Sequence, residues 1–389
     1  MTRVAFPQGP INDRSTIFKN PFRNKWVASI KDNFGPSNDG LQRRARSYYE
    51  TDSILRDNNW THHGSSCPPH ANCPYAWVSA DTADPPNPDC GRACFVSELY
   101  NFDVIAYESV LIGLYAIFRG FSGGGSRITG ELNELHIGTS RDGFHFSRPP
   151  PSQRRAFMGY SYPEHSFPNT DVQSVANGMV VSDHLITFFG MGRTGQPQYY
   201  SSDNPGGNRS MAAATIRRDG FASLETTGAG LAPSFLWTVP TVFSATQTFV
   251  FVNVKLAAGG FLQVGIAEEA LSPSGDVVFL PGFEPENSAV GDIGRDSCTE
   301  LPFDSTKALV TWGGHGNRSS SAYATTHDGG SSGGGRGGGV YRFAGGGAAP
   351  VRFVFHMGGA SLYSFWVSTN SCGNSRGYLG ASGRDVHGC

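Results

Sequence analysis

An all-β chain is predicted, blade-like repeats first and a β-sandwich after them, and three observations predict it. Glycine and proline, 51 and 24 of 389 residues, interrupt the chain too often for long helices. Short apolar alternations bounded by turn residues run through most of its length. One turn phrase also recurs: Ser140-Arg141-Asp142-Gly143-Phe144-His145-Phe146 returns loosely as Arg217-Arg218-Asp219-Gly220-Phe221-Ala222-Ser223, each copy behind a strand-like segment. With Asp52 and Trp60 as a degenerate third copy, the interval is about 75 to 90 residues, the spacing of propeller blades with insertions. Three copies imply three blades.

The elements follow in order. Thr16-Ile17-Phe18, the polar turn Asn20 to Lys25 and Trp26 to Ile30 read as strand, turn, strand. Arg46 to Tyr49 is a further strand, and the turn after it puts Trp60 on a buried face. Arg43, Arg44 and Arg46 read as protection of an exposed strand edge, with an anion site as the rival reading. Residues 64–94, rich in Cys, Pro and Asp and without period, read as a surface insertion. Phe102 to Phe118 reads as a buried hairpin turning at Glu108-Ser109. From Gly230 the runs Thr248 to Val254, Phe261 to Ile266, Ala308 to Trp312, Val351 to Phe355 and Leu362 to Val367 alternate as sandwich strands do. The expected organisation is therefore blades over 16–228, a sandwich over 229–368 with a Gly-rich loop at 313–347, and a tail at 369–389, with Cys372 and Cys389, that is loose unless a disulfide ties it down. Gly333 to Gly339 lacks the Lys-Ser/Thr of a phosphate-binding loop and reads as flexible insertion.

Charge narrows the partners. Thirty basic residues stand against 32 acidic ones, so no global field draws nucleic acid or anionic lipid, and no apolar run approaches the length of a membrane helix. Four of seven cysteines fall between Cys67 and Cys94, and three sequons begin at Asn59, Asn208 and Asn317. These suit an oxidising compartment and a secreted or extracellular protein whose signal is absent from this sequence, with the cytoplasm left open. Cys67, Cys73, Cys90 and Cys94 are expected to form two disulfides. A zinc site with His62, His63 and His70, and free thiols, are the alternatives, and the spacing is not that of paired Cys-x-x-Cys knuckles.

The phrases Phe18 to Val27, Tyr107-Glu108 before Leu111 to Leu114, Ser140 to Phe146, Arg218 to Leu224, Phe251 to Val254 and Leu362 to Phe365 occur in an order that resembles the glycoside hydrolase family 32 N-terminal-like proteins. These belong with the five-bladed β-propellers of families 32, 43 and 68. The resemblance covers about 16 to 367 and implies a partial five-bladed-type propeller followed by a sandwich, with carbohydrate as partner and no cofactor or metal. Two departures stand out: Asn20 replaces the Asp that relatives carry before proline, and only some fifteen residues precede the first phrase, where relatives have one or two further blades.

Glycoside hydrolysis needs two carboxyl groups flanking the scissile bond, one protonated and one ionised. Glu98 and Asp171, at expected strand starts, are the catalytic candidates, with Asp103 as a third. Tyr100, Tyr160 and Tyr162 are candidates for stacking on sugar rings, and His165 and Arg193 for binding hydroxyl or acidic groups. No Gly-x-Ser-x-Gly elbow sits between a strand and a helix, so a serine nucleophile finds no support. Two functions are therefore expected to compete: a glycosidase-like protein acting on furanosides or polysaccharides, and a non-catalytic carbohydrate-binding or structural protein. Too few blades to close a ring favour weak hydrolysis or none.

Overall fold

The computed structural model describes residues 12–34, 43–54, 60–62, 77–84, 97–119, 133–159, 170–182, 184–193, 209–226, 232–243, 249–292, 303–312, 324–325, 342–343, 349–370 and 372–379. The four cysteines and the histidines at 63 and 70, residues Tyr160, Tyr162 and His165, most of the Gly-rich loop, and the side chains of His62, Asp171 and Arg193 lie outside the described residues.

The described chain is all-β, with two 3-10 turns and no α-helix. No helix among the described residues is long and apolar enough to cross a membrane. The chain divides into two compact units, one made mainly of residues 1–181 and 187–215 and the other mainly of 216–376.

The first unit holds small antiparallel sheets of blade size. One has the order β1 (Thr16–Asn20), β2 (Lys25–Phe34), β3 (Arg43–Thr51), β4 (Thr61–His62). In the next, β5 (Glu98–Glu108), β6 (Val110–Phe118) and β7 (Asn133–Ser140) run as a meander, and β20 (Tyr378–Leu379) joins β5 from the chain's far end. A third sheet orders β8 (Thr170–Val181), β9 (Leu185–Arg193) and β10 (Arg209–Arg217), with its last residues crossing the unit boundary. The hairpin at Glu108-Ser109 forms as expected, with Tyr107 opposite Val110 and Glu108 at a φ of 49°.

Core packing explains two departures from the sequence reading. Residues Trp77 to Asp84 belong to the expected surface insertion, yet Trp77 packs against Tyr48 at 4.8 Å and Phe102 at 5.3 Å, and its indole donates to Phe144 O at 2.8 Å. A main-chain bridge between Arg46 and Val78 brings this segment to β3. A single Trp and Val without a period gave no strand signal, but their apolar area is enough to draw the segment inward. Arg46, read as an edge cation, is fully buried.

The repeated phrase also proves to be two different turns. In the first copy Asp142 Oδ1 accepts the main-chain N–H groups of Phe144 and His145 at 2.8 Å, and Gly143, at φ 76°, donates to Ser140 Oγ. Phe144 and Phe146 then return to the core around Tyr48, Trp77 and Phe102. Asn20, fully buried, accepts from the N–H groups of Phe22 and Arg23 and donates its amide to Asp142 O at 2.7 Å. An aspartate at position 20 could not make that last bond, so the departure at Asn20 has a structural reason. In the second copy Asp219 itself takes the positive φ, 57°, and accepts from Ser364 Oγ, while Arg217 stacks on Tyr363 at 4.2 Å.

The second unit is one sheet folded on itself. β13 (Phe249–Leu271) and β19 (Val351–Ser368) pair along nearly their whole lengths. Beside the first half of β13 lie β16 (Asp304–Trp312) and β15 (Ser288–Asp292), and beside the second half lies β14 (Val277–Phe279). β19 carries β12 (Ser234–Trp237) and β11 (Leu224–Glu225) on its other edge. The separate strands expected at 248–254 and 261–266, and at 351–355 and 362–367, are thus single bent strands. The bend sits where Leu256 pairs with Ala360 and Phe261 with Gly358, leaving 257–260 opposite Gly359. There Gly260 lies so close to Gly359 O that a Cβ would collide with it. The two halves share one apolar core, and Trp312 on one half donates its indole N–H to Val264 O on the other at 2.7 Å.

In the tail after Ser368 the disulfide condition is met at Cys372, and the described residues are held by further bonds. Trp366 Nε1 donates to Gly373 O and Ser368 Oγ to Asn374 O, and Cys372 is disulfide-bonded to a residue outside those described. Trp366 is half-buried rather than fully buried and stacks on Phe251 at 5.5 Å.

Two outcomes test these assignments. Gly260→Val should destabilise the chain by about 2 kcal/mol or more, because the added side chain forces the two backbones apart; an unchanged thermal midpoint would show that the bend is not closely packed. Burial raises the Asp142 pKa, but bonds from His145, the two N–H groups and Ser140 outweigh it and hold the carboxyl well below its ordinary value. Its stabilising contribution is therefore present above about pH 4 and lost as pH falls towards the depressed value. Thermal melts of Asp142→Ala should show a deficit at pH 7 that narrows at pH 3.

Candidate functional site

β5 carries three of the sequence candidates, and an irregularity in it decides where they point. Pairing with β6 shifts register between Leu99 and Asn101, leaving Tyr100 as an extra residue, a β-bulge. Strict alternation would put Glu98 on the face of Phe102. With the bulge, Leu99, Phe102, Val104 and Ala106 face one apolar cluster, and Glu98, Asn101 and Asp103 share the other face.

Glu98 is 2% exposed. Its Oε1 accepts the main-chain N–H of Arg44 at 3.1 Å and its Oε2 the Arg44 guanidinium at 3.0 Å. Asp103 is 1% exposed. Its Oδ2 accepts from Asn101 Nδ2 at 3.2 Å and from the Ser174 hydroxyl of β8, and Asn101 Nδ2 also donates to Ser174 Oγ at 2.7 Å. Asp103 Oδ1 and Asn101 Oδ1 have no hydrogen-bond partner among the described residues. Burial raises the Asp103 pKa, and the bond from Ser174, the Arg46 charge and the bond from Asn101 offset this only in part. Asp103 thus has the character of a buried acid and Glu98 that of an ion-paired carboxylate. Counting about 3.3 Å per paired position, they stand roughly 13 Å apart along β5, wider than the about 5 to 10 Å that flank a scissile glycosidic bond.

Tyr100 occupies the bulge. Lys31 Nζ approaches its ring at 4.6 Å and the Arg44 guanidinium at 5.4 Å, and its hydroxyl donates to Asp13 Oδ2 at 2.9 Å. These cations already lie against the ring that was a candidate for sugar stacking. Asp171 is the second residue of β8, three before Ser174, and Arg193 closes β9.

Sequence reasoning missed the groups that organise this face. Arg46 donates to Arg14 O at 2.8 Å and to Tyr100 O, and the Thr16 hydroxyl donates to Phe102 O at 3.3 Å. Two side chains thus take carbonyls of β5 that no strand pairs. Burial lowers the Arg46 pKa to about 10, with the Asp103 carboxylate acting in the opposite sense. Nothing in the run Arg43-Arg44-Ala45-Arg46 distinguishes the buried arginine from its neighbours. A second buried group lies on β7, where Glu134 pairs with Arg119 and stands 3.8 Å from His136 Nε2. Neither ring nitrogen of His136 has a hydrogen-bond partner among the described residues. No group of three or more His, Cys, Asp or Glu able to hold a metal occurs among the described residues.

Asp103→Asn tests the buried acid. A raised folded pKa makes its stabilising contribution largest below the unfolded value, near about 4, and that contribution is lost as pH rises through the folded one. The asparagine fixes a neutral isostere, so the variant's midpoint should improve relative to wild type between pH 4 and 8. A difference constant with pH would place the Asp103 titration outside that window.

No protein-family model matches the chain, and no curated protein matches it. Among solved structures it is similar to an N-acetylgalactosamine deacetylase from F. plautii in complex with blood group B trisaccharide, at 10% identity and a TM-score of 0.32. The match covers 52% of this chain and 49% of that one, so this chain spans about half the length of its neighbour, and at that score the likeness carries no inference.

Proposed function

We propose that this chain is a carbohydrate-binding protein of glycosidase-like architecture that does not hydrolyse glycosides through Glu98 and Asp103. The observation that carries this reading is that both carboxyls are buried and bonded within the fold, Glu98 by Arg44 and Asp103 by Asn101 and Ser174. A general acid or nucleophile must reach the glycosidic oxygen or the anomeric carbon of a bound sugar. Presenting Glu98 to a sugar would require breaking its pair with Arg44, and removing one partner of a buried ion pair is strongly unfavourable. Support for carbohydrate as the ligand class comes from the ordered phrases shared with the glycoside hydrolase family 32 N-terminal-like proteins and from the all-β architecture. Asn20, where relatives carry Asp, serves turn geometry through bonds an acid could not make.

The chain should therefore give no more than weak turnover on a panel of aryl glycosides, fructans and neutral polysaccharides. Glu98→Gln should cost about 2 kcal/mol of stability through the loss of its charge-assisted bonds. Strong hydrolysis abolished by Glu98→Gln or Asp171→Asn, with the thermal midpoint preserved, would restore the hydrolase reading.

A further inference from the structure

The second unit carries an aromatic cluster that the face of β5 does not explain. Phe235 on β12 lies flat against His356 on β19, with ring centroids 4.3 Å apart and planes within 7°. Phe261 on β13 meets the same imidazole edge-on at 5.0 Å. Register explains the assembly: Phe235 pairs with His356, which pairs with Gln263, so one row crosses three strands. His356 Nδ1 donates to Gln263 Oε1 at 3.0 Å, fixing the ring. Trp237, two residues along β12 on the same face, pairs with Val354.

Exposure sets this cluster apart from the core. Phe235 is 58% and Trp237 43% exposed, although both belong to a paired strand. Among the described residues β12 pairs with β19 alone, so the far side of Phe235 has no strand beside it. The rings of Phe235 and Phe261 and the amide of Gln263 carry no charge, and Arg352 further along β19 directs its guanidinium to the carbonyls of Thr238 and Glu269. The combination is a stacked pair open on one side, with a fixed amide and imidazole within the same row and the nearby guanidinium already engaged by carbonyls. It favours a neutral ligand with one apolar face and a rim of hydroxyls. A sugar ring has both, since its axial C–H groups form an apolar face while its hydroxyls exchange hydrogen bonds at the edge.

We propose that this row is a saccharide-binding subsite, in which a neutral sugar ring extends the His356–Phe235 stack by one layer, Trp237 supports the adjoining sugar and Gln263 bonds a hydroxyl. The assignment rests on the carbohydrate-binding reading above. A second copy of the chain is the competing occupant, but β12 is four residues long, too short an edge to sustain pairing between chains, and a dry interface would bury the Gln263 amide.

Affinity electrophoresis of the full chain in gels containing hydroxyethylcellulose, xylan, β-1,3-glucan or inulin tests it, with alginate as the anionic control. Wild type should be retarded by at least one neutral polymer and less by alginate. Phe235→Ala and Trp237→Ala should each weaken that retardation about tenfold with thermal midpoints little changed, since both rings are substantially exposed. Retention by both variants equal to wild type would overturn the subsite and leave carbohydrate binding standing elsewhere on the chain. No retardation of wild type by any neutral polymer would overturn both readings. A wild-type dimer in sedimentation that Phe235→Ala converts to monomer, without effect on retardation, would give the surface to a second copy.

Discussion

Arg46 is the residue on which the first unit depends. A guanidinium with no exposed surface holds carbonyls from two separated stretches of chain, Arg14 and Tyr100, and faces the buried carboxyl of Asp103. Carbonyls on an unpaired strand edge must find donors, and in a sheet the next strand supplies them. Here side chains do so, Arg46 at Tyr100 and Thr16 at Phe102. That solution imposes a burial cost on a charge, which explains why Arg46 sits at a lowered pKa and why a carboxyl shares its surroundings. The polar face of β5 is intelligible first as the counterpart of this arginine.

The fold was legible in the sequence at the level where period and turn chemistry operate. The Glu108-Ser109 hairpin, the strands around Asn20 to Lys25, and the alternation after Gly230 all formed. What was not legible depends on contacts between distant segments. Trp77 sits in an aperiodic, Cys- and Pro-rich stretch, and only its partners Tyr48, Phe102 and Phe144 reveal that it belongs to the core. Arg217 to Ser223 repeats the letters of Ser140 to Phe146 without repeating the conformation, because Asp142 caps its own turn whereas Asp219 takes the left-handed position. The bend that makes two halves of one sheet read as separate strands in sequence, since glycines at 259, 260, 358 and 359 signal a break equally well whether the chain stops or turns.

For the candidate site, residue type was readable and environment was not. Glu98 and Asp103 were recognisable as carboxyls on one strand, five positions apart, which alternation places on opposite faces. The bulge at Tyr100 puts them on one face, and a bulge at a tyrosine has no local sequence signature. Bringing them to the same face does not make them a catalytic pair, because each is committed to a different partner before any ligand arrives.

That commitment separates the two kinds of polar group in this molecule. Asp103, Asn101 and Ser174 exchange bonds within the protein, at 2% exposure or less, so their chemistry is directed inward even where an oxygen remains unpaired. Phe235 and Trp237 make the opposite use of a strand: they place large apolar rings outward at an edge, where water is the alternative neighbour and any flat apolar ligand face gains by displacing it. The carboxyls of β5 are thus spent on holding the frame itself. Any recognition of a ligand then falls to surfaces whose side chains are not needed to hold the fold together.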